Sequence, residues 1–517
     1  MTLMRSALSR AATRRAATLG LALGAAAAVA CKDSNVPFFT APTSVPNSPA
    51  GIQNAVTGIF AAQRIELTTF VTTVSAGYAR DGSVFTNTEA RTVEYPLGVF
   101  PTPASSGNVW AQEYQNITQA HEVLATLPSV SPTYSNAEAA AITGLIQTLI
   151  AYNYMMVAEA HDTLGLAIEG ATIATTPPTA VCNKDGWAYI VALLDSANAK
   201  LNTAGSTQIP LKLPKGFSAL QTAGPSTAPG TFASFNRALA AKANLELAYA
   251  RARTPTGGAN APTPTSPGAP DAGALTDALT ALNASGMYSP AALAPDPSGG
   301  FTPGPFVVTH DFSATSGDLV NPVNGAIGTM AQLNDFVAAV DTLHDLRWKA
   351  KFIKNPNAVQ QQLYNAVASK YIPAMYPNPS APIPIVREVQ LVLWHAQILM
   401  GMGPANYAAV LADVNLVRTT LGGPGLTPYP ASDASSYVTL RNDLLKEQRT
   451  STTFEASADR TIALRMYGLA AVADTTWNGK EDPLVDNGAN IDVHTTVNPI
   501  PLTELQGRGG SFNPSCS

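Results

Sequence analysis

Residues 384–421 read PIVREVQLVLWHAQILMGMGPANYAAVLADVNLVRTTL. In the first half, 385–402, Val386, Val389, Leu391, Val392, Leu393, Trp394, Ile398 and Leu399 fall on every side of a helical wheel. A helix apolar all round has to be buried all round. In the second half, 406–421, Tyr407, Val410, Leu411, Val414, Val417 and Leu421 recur at spacings of three and four, the stripe of an amphipathic helix. Gly401, Gly403 and Pro404 part the halves, and Gly422, Gly423 and Pro424 stop the second. The pattern predicts an antiparallel helical hairpin. One hairpin cannot cover a helix that is apolar on all sides, so further helices must stack on it.

The rest of the chain supplies them. Ser48-Pro49 opens a helix reaching residue 70, with Ile52, Val56, Ile59 and Phe60 on its packed face. Trp110, Tyr114, Ile117, His121, Leu124 and Leu127 form a second stripe, stopped by Pro128. Ser135 or Asn136 caps a helix over 137–160 with Glu138 in its first turn, and Asp162-Thr163-Leu164-Gly165 ends it. Trp187, Ile190, Leu194, Ala197 and Leu201 mark another over 185–201. The Ala-rich stretch 232–251 and the shorter 272–282 follow, then 332–340 and 437–454. We therefore expect a mainly α protein built on four helix pairs: 51–70 with 110–127, 137–160 with 185–201, 232–251 with 272–282, and 385–402 with 406–421. Between them, about 70–105, 205–230, 252–330 and 471–517 read as loop-rich insertions forming an irregular subdomain, with one short strand near 306–309.

Composition narrows the function. Charged residues make up only 13% of the 517, and the formal charge is −5. No basic run is interleaved with aromatics, so no nucleic-acid partner is expected. Arg5, Arg10, Arg14 and Arg15 precede the apolar run 19–30, the layout of a secretory signal that is too short to span a bilayer. Removing residues 1–30 takes away four Arg and no acid, leaving −9. Ala28-Val29-Ala30-Cys31 resembles a bacterial lipobox, which makes Cys31 the expected lipid-attachment site; ordinary cleavage that leaves Cys31 as a thiol is the alternative. Cys31-Lys32-Asp33 also resembles the lysine-plus-acid signal that sends some lipoproteins to the outer face of the outer membrane. Residues 31–50 then form a Pro-rich tether, and 51–517 the folded domain. Cys182 and Cys516 could pair or stay apart.

Several motifs in order resemble the RagB/SusD family of outer-membrane nutrient-binding lipoproteins. Trp110, Tyr114, Ile117 and Ala120 match its W-x3-Y-x2-I-x2-A/C helix. Glu138 to Gly165 matches its second helix. Asp345-Leu346-Arg347 before Lys370-Tyr371 is similar to its D-x-R and Lys-Tyr elements. Arg387 to Asn415-Leu416-Val417-Arg418 is similar to its R-x2-E…N-x-V-R segment. Glu447-Gln448-Arg449, Phe454-Glu455, Arg460 and Leu464-Arg465 are similar to its E-R…F-E-G-x-R…L-R block, and Pro499 to Leu502 with Asn513-Pro514 to its tail. Gln390 and Gln397 stand where the family usually has Glu, His121 where Asn is common, and Ala463 where Asp is usual, which marks a divergent member.

The resemblance implies a scaffold of four tetratricopeptide-like pairs, with ligand held by the insertions. It also implies glycan or peptide as ligand, a SusC-type TonB-dependent transporter as partner, and a lipid-anchored position facing the exterior. It implies binding, not chemistry: no catalytic residue, cofactor or metal is expected. No H-E-x-x-H, G-x-S-x-G or P-loop occurs. His161-Asp162, His310-Asp311 and His344-Asp345 are read as helix ends or loops rather than metal ligands. Ligand contacts would show as exposed aromatics in the insertions, with Tyr78, Tyr95, Phe100, Tyr288, Phe301, Phe306, Phe312 and Trp477 as candidates. Trp110, Trp187, Trp348 and Trp394 lie on core stripes. A cell-envelope adaptor without a small ligand is the alternative function.

Overall fold

Helix α1 (Pro49–Ala62) starts on Ser48, whose Oγ accepts from the Gly51 amide at 3.0 Å, with Pro49 in the first turn. It packs on α2 (Ala111–Val130). Helix α3 (Asn136–His161) begins with a capping box: Ser135 Oγ accepts from Glu138 N, and the Glu138 carboxylate accepts from Ser135 N. It packs on α4 (Asn183–Ala204), whose buried side chains include the predicted Trp187, Ile190, Leu194, Ala197 and Leu201. Helix α5 (Phe232–Ala252) pairs with α6 (Ala272–Ala284), and α7 (Glu388–Gly401) with α8 (Tyr407–Leu421). The four expected pairs all form. Contacts between α2 and α3, α4 and α5, and α6 and α7 join them into one stack.

The structure, a computed structural model, describes residues 45–79, 81–84, 109–130, 133–168, 178–253, 260–294, 307–315, 318–327, 330–332, 334–354, 362–363, 366–367, 370–469, 485–486, 489–490, 497–512 and 514. The chain divides into two compact units, Met1–Val45 and Pro46–Ser517, and every element named here belongs to the second.

Helix α3 is the axis of the stack. It is long and apolar enough to cross a membrane, yet 83% of its most apolar window is buried inside the protein, so neighbouring helices cover it instead of lipid. Gly144 lets α4 come close: a Cβ there would lie 2.6 Å from Leu201 Cγ and 2.8 Å from the Ala197 carbonyl oxygen. Two more helices, α9 (Tyr437–Thr452) and α10 (Asp459–Met466), close the C-terminal side against α7 and α8. The insertion after α4 carries its own apolar patch, in which Phe217 meets Phe60, Phe232 and Phe235.

Five sequence expectations need correction. Residues 385–387 are not helical: Ile383–Arg387 is a strand, antiparallel to Val307–His310, with a register shift between Pro384 and Val386. Pro384 forces Ile383 to stay extended, and α7 starts only at Glu388. The strand expected at 306–309 is real but runs Val307–His310. Residues 63–70 do not continue α1; after a turn, Leu67–Thr69 leads into a π-helix, Phe70–Gly77, inside what was read as a loop. Its β-branched Thr and Val residues and its Gly are weak helix formers, and burial of Phe70, Val71 and Val74 decides the outcome. Pro128 does not stop α2, which runs two residues further to Val130. Residues 332–340 split into a strand, Met330–Gln332, and a helical turn, Asn334–Ala339.

Candidate functional site

The residues that resemble family motifs converge on a buried ionic centre. Arg347 donates to Asp345 at 2.7 and 3.0 Å and to Glu447 at 2.5 Å. Glu447 also accepts from Arg418 at 3.1 Å and Tyr429 at 2.9 Å. Glu455 sits between Lys351 Nζ at 2.7 Å and the Arg387 guanidinium at 2.6 and 2.9 Å. Asp81 sits between Arg449 and Arg460, at 2.7 and 3.1 Å. Burial pushes the Lys351 ammonium down to about 8 although Glu455 opposes it. Burial raises the Asp81 carboxyl against the pull of Arg460 and Arg449. At Asp162, burial works against ionisation, but Arg253 and Arg465 outweigh it and hold the carboxyl below its ordinary range. Lys242 bridges Glu159 at 2.8 Å and Asp459 at 3.4 Å.

Gln390 takes part in this centre as a dipole. Its Nε2 donates to Asp459 at 3.0 Å and Ser457 at 2.6 Å, and its Oε1 accepts from the Arg387 amide. These side chains face one another within the protein. Their chemistry is to fix α7, α9, α10 and the Leu346–Lys351 turn in one register, since a desolvated charge is stable only with its partners in place. A void among Phe70, Tyr152, Glu159, Lys242 and Trp394 measures about 10 Å³, room for roughly one water and no ligand.

The expected site residues separate sharply. Cys31, Tyr95, Phe100, Phe301, Phe306 and Trp477 lie outside the described residues. Tyr78 is core, its hydroxyl donating to Asn498 Oδ1 at 2.5 Å. Phe312 is buried beneath the Arg64 guanidinium, 5.6 Å from the ring centre. Trp110, Trp187, Trp348 and Trp394 are all buried, as expected. Cys182 is disulfide-bonded, with its partner outside the described residues.

The three His-Asp dipeptides stand in unrelated surroundings. His161 Nδ1 bonds the Asn498 carbonyl, His310 meets the Tyr152 hydroxyl at 3.1 Å, and exposed His344 pairs with Asp341. Burial lowers His161 to about 4 and His310 to about 3, so both are neutral at physiological pH.

Tyr288 differs from the other two described candidates in being half-buried. Its ring lies 4.8 Å from that of His395 at 31°, and its hydroxyl is 3.0 Å from His395 Nδ1. The same nitrogen is 2.6 Å from Asp413 Oδ2. Sequence reading missed His395 and Asp413. Their signal was present: each is a polar residue set among the apolar residues of facing helices in one hairpin.

A second polar cluster lies at the start of α2. Glu66 accepts from the amides of Val109, Trp110 and Gln112 and so caps the start of α2. Val109 takes a left-handed φ of 63° to bring those amides round. Burial raises the Glu66 carboxyl to about 7. Glu113, in the first turn, is fully buried with no hydrogen-bond partner on either oxygen among the described residues; burial and then the Glu66 charge raise it well above the ordinary range.

No family model and no curated protein matches this sequence. Solved structures do. A SusD superfamily protein from Bacteroides vulgatus ATCC 8482 aligns over 89% of this chain and 96% of its own, at 12% identity and a TM-score of 0.58. One from Bacteroides fragilis NCTC 9343 aligns over 90% and 98%, at 15% identity and 0.60. B. fragilis NanU aligns over 90% and 96%, also at 15% and 0.60. The likeness covers about nine-tenths of this chain, at an identity that speaks to architecture alone. The chain has the fold of SusD superfamily proteins, with a sequence far diverged from theirs.

Proposed function

We propose that the protein is an outer-membrane lipoprotein, anchored through Cys31 and facing the exterior, that binds a glycan or peptide nutrient and delivers it to a SusC-type TonB-dependent transporter. The observation that carries this reading is the SusD fold in a chain whose N-terminus has a lipobox-like Ala28-Val29-Ala30-Cys31. In this reading residues 1–30 are the signal, 31–50 the tether, and the scaffold presents its insertions to cargo.

Three measurements test the proposal. Metabolic labelling with a palmitate analogue should mark the wild type and not Cys31→Ser. Protease added to intact cells should cut the chain without opening the outer membrane. Gentle detergent should co-purify a large β-barrel. Loss of all three would leave only a helical scaffold of the cell envelope. That second reading draws on the burial of Tyr78 and Phe312.

A further inference from the structure

Cys182 stands at the start of α4, is buried, and has its sulfur already in a disulfide. The sequence holds two other cysteines, Cys31 and Cys516. The surroundings of Cys182 separate them. Just ahead of it the strand Thr179–Val181 pairs with Leu166–Ile168, and Gly165 turns into that pair at a φ of 81°. A Cβ on Gly165 would stand 2.3 Å from the Val181 carbonyl oxygen and 3.3 Å from Pro514 Cγ. Pro514 and the residue that precedes Cys182 thus meet at one glycine. Cys516 is two residues beyond Pro514. Two residues of extended chain reach about 7 Å, and a disulfide joins Cα atoms about 5.5–6 Å apart.

The segment that brings Pro514 there is a strap across one end of the scaffold, over the last turn of α3 and the start of α2. The Asn498 amide donates to the Ala160 carbonyl at 2.7 Å, and the Asn498 carbonyl lies 2.8 Å from His161 Nδ1. Asn498 Oδ1 accepts from the Tyr78 hydroxyl. Phe512 stands edge-on to Trp110 at 5.6 Å, under the Arg508 guanidinium. Trp110 is in turn edge-on to His161 at 4.9 Å. Between these contacts the strap is loosely held: no residue of the turn Leu502–Gly507 is buried, and Leu502 is exposed. Apolar burial ties it down only weakly, which leaves a role for a covalent anchor at its far end.

We propose that Cys516 is the partner of Cys182, and that this intramolecular disulfide fastens the strap to the start of α4. The bond forms by exchange with a donor disulfide. The donor's S–S bond breaks, it takes two electrons and two protons from the Cys182 and Cys516 thiols, and it leaves as two thiols. The ring so closed contains α4 to α10, and a cross-link over so long a stretch removes much freedom from the unfolded chain. It also keeps Asn498 where His161 and Tyr78 need it. The bond requires an oxidising compartment, which export of the chain supplies. It calls on neither ligand nor transporter, and it leaves the Cys31 thiol available for a lipid.

The test takes the full chain from cells whose free thiols are blocked with N-ethylmaleimide before lysis, and digests it with trypsin without reduction. Mass spectrometry should find peptide 509–517 joined to the peptide ending at Lys184, and the two should separate on reduction. Maleimide on both Cys182 and Cys516 overturns the proposal, and so does a link from either to another protein; a palmitate label on Cys31 in the same sample then keeps the anchor. A Cys31–Cys182 link overturns the proposal and the lipid anchor together. Reduced wild type and Cys516→Ser should melt at one temperature, several degrees below oxidised wild type. Both should exchange the Asn498 amide about tenfold faster. Equal melting and equal exchange in all three would overturn the strap's dependence on the bond. The peptide map is read on the wild type, so it decides the pairing even where Cys516→Ser does not fold.

Discussion

The α3–α4 interface and the α9–α10 corner are both buried, and they are held by opposite chemistries. Between α3 and α4 the buried groups are Leu145, Leu149, Trp187, Ile190, Leu194 and Leu201, brought close by Gly144. In α9 and α10 the buried groups include Arg441, Glu447, Arg449, Asp459, Arg460 and Arg465. Apolar contact is non-directional and strengthens with area, so it holds helices together without naming a unique partner for each side chain. A desolvated ion pair does name its partner. Asp81 and Arg449 lie 368 residues apart in sequence, yet each is the other's counter-ion. The corner therefore fixes which insertion meets which helix, and the interface supplies the bulk of cohesion.

The largest effect should come from the corner. Glu455→Ala leaves Lys351 and Arg387 buried without their shared anion and should lower unfolding stability by about 3–5 kcal/mol in a urea titration. Glu455→Gln keeps an acceptor and should cost less. A loss under about 1 kcal/mol for the Ala variant would mean water reaches these cations and the corner is not ionically held.

The next effect tests the buried carboxyls at the start of α2. Glu66 titrates near 4.5 when unfolded and about 7 when folded, so the folded state holds the extra proton between those values. Its contribution is fully present below about pH 4.5 and is lost as pH rises through 7. His161 and His310, lowered to about 4 and about 3, act with the opposite sign as pH falls below 6.5. They are common to wild type and Glu66→Gln and cancel in the difference. Wild-type stability minus that of Glu66→Gln should fall by about 2–3 kcal/mol between pH 4.5 and 8. A flat difference would mean the Glu66 carboxyl is solvated.

The contrast also explains what the sequence made legible. The four helix pairs could be read because a 3.6-residue apolar period is a local property, and Trp187 to Leu201 or Tyr407 to Val417 display it without outside help. The strand Ile383–Arg387 was misread because an unbroken apolar run looks alike in a buried strand and a buried helix. The ladder partner at Val307–His310, which decides between them, is remote in the chain. The π-helix Phe70–Gly77 was hidden by its Thr content. Motif resemblance located Arg347, Arg387, Glu447 and Glu455 but not their pairing, since ion pairs leave no period. Of the cluster of Tyr288, His395 and Asp413 only Tyr288 was visible; His395 and Asp413 become meaningful once two helices face each other.

On the apolar side, Gly144→Val puts side-chain atoms where Leu201 and the Ala197 carbonyl already stand. Helices α3 and α4 must part, which should cost about 1–3 kcal/mol. The readout is thermal unfolding together with faster amide exchange along the α4 face. An unchanged melting temperature would show that this interface can slide, and that close approach of the two backbones is not what holds it.

The smallest expected effect isolates what belongs to neither chemistry. Ser135→Ala removes the hydroxyl that accepts from Glu138 N at the solvent-exposed start of α3 and leaves both the apolar interface and the ionic corner untouched. It should cost about 1 kcal/mol, the ordinary value of an N-cap. Double variants then sharpen the comparison. Ser135→Ala with Glu455→Gln should be additive, because the cap lies at one end of α3, away from the corner where Glu159 meets Lys242. A coupling above about 0.5 kcal/mol would mean that the long axis helix carries strain from its exposed start to the ionic centre, and that the two regions are not the separate devices their chemistries suggest.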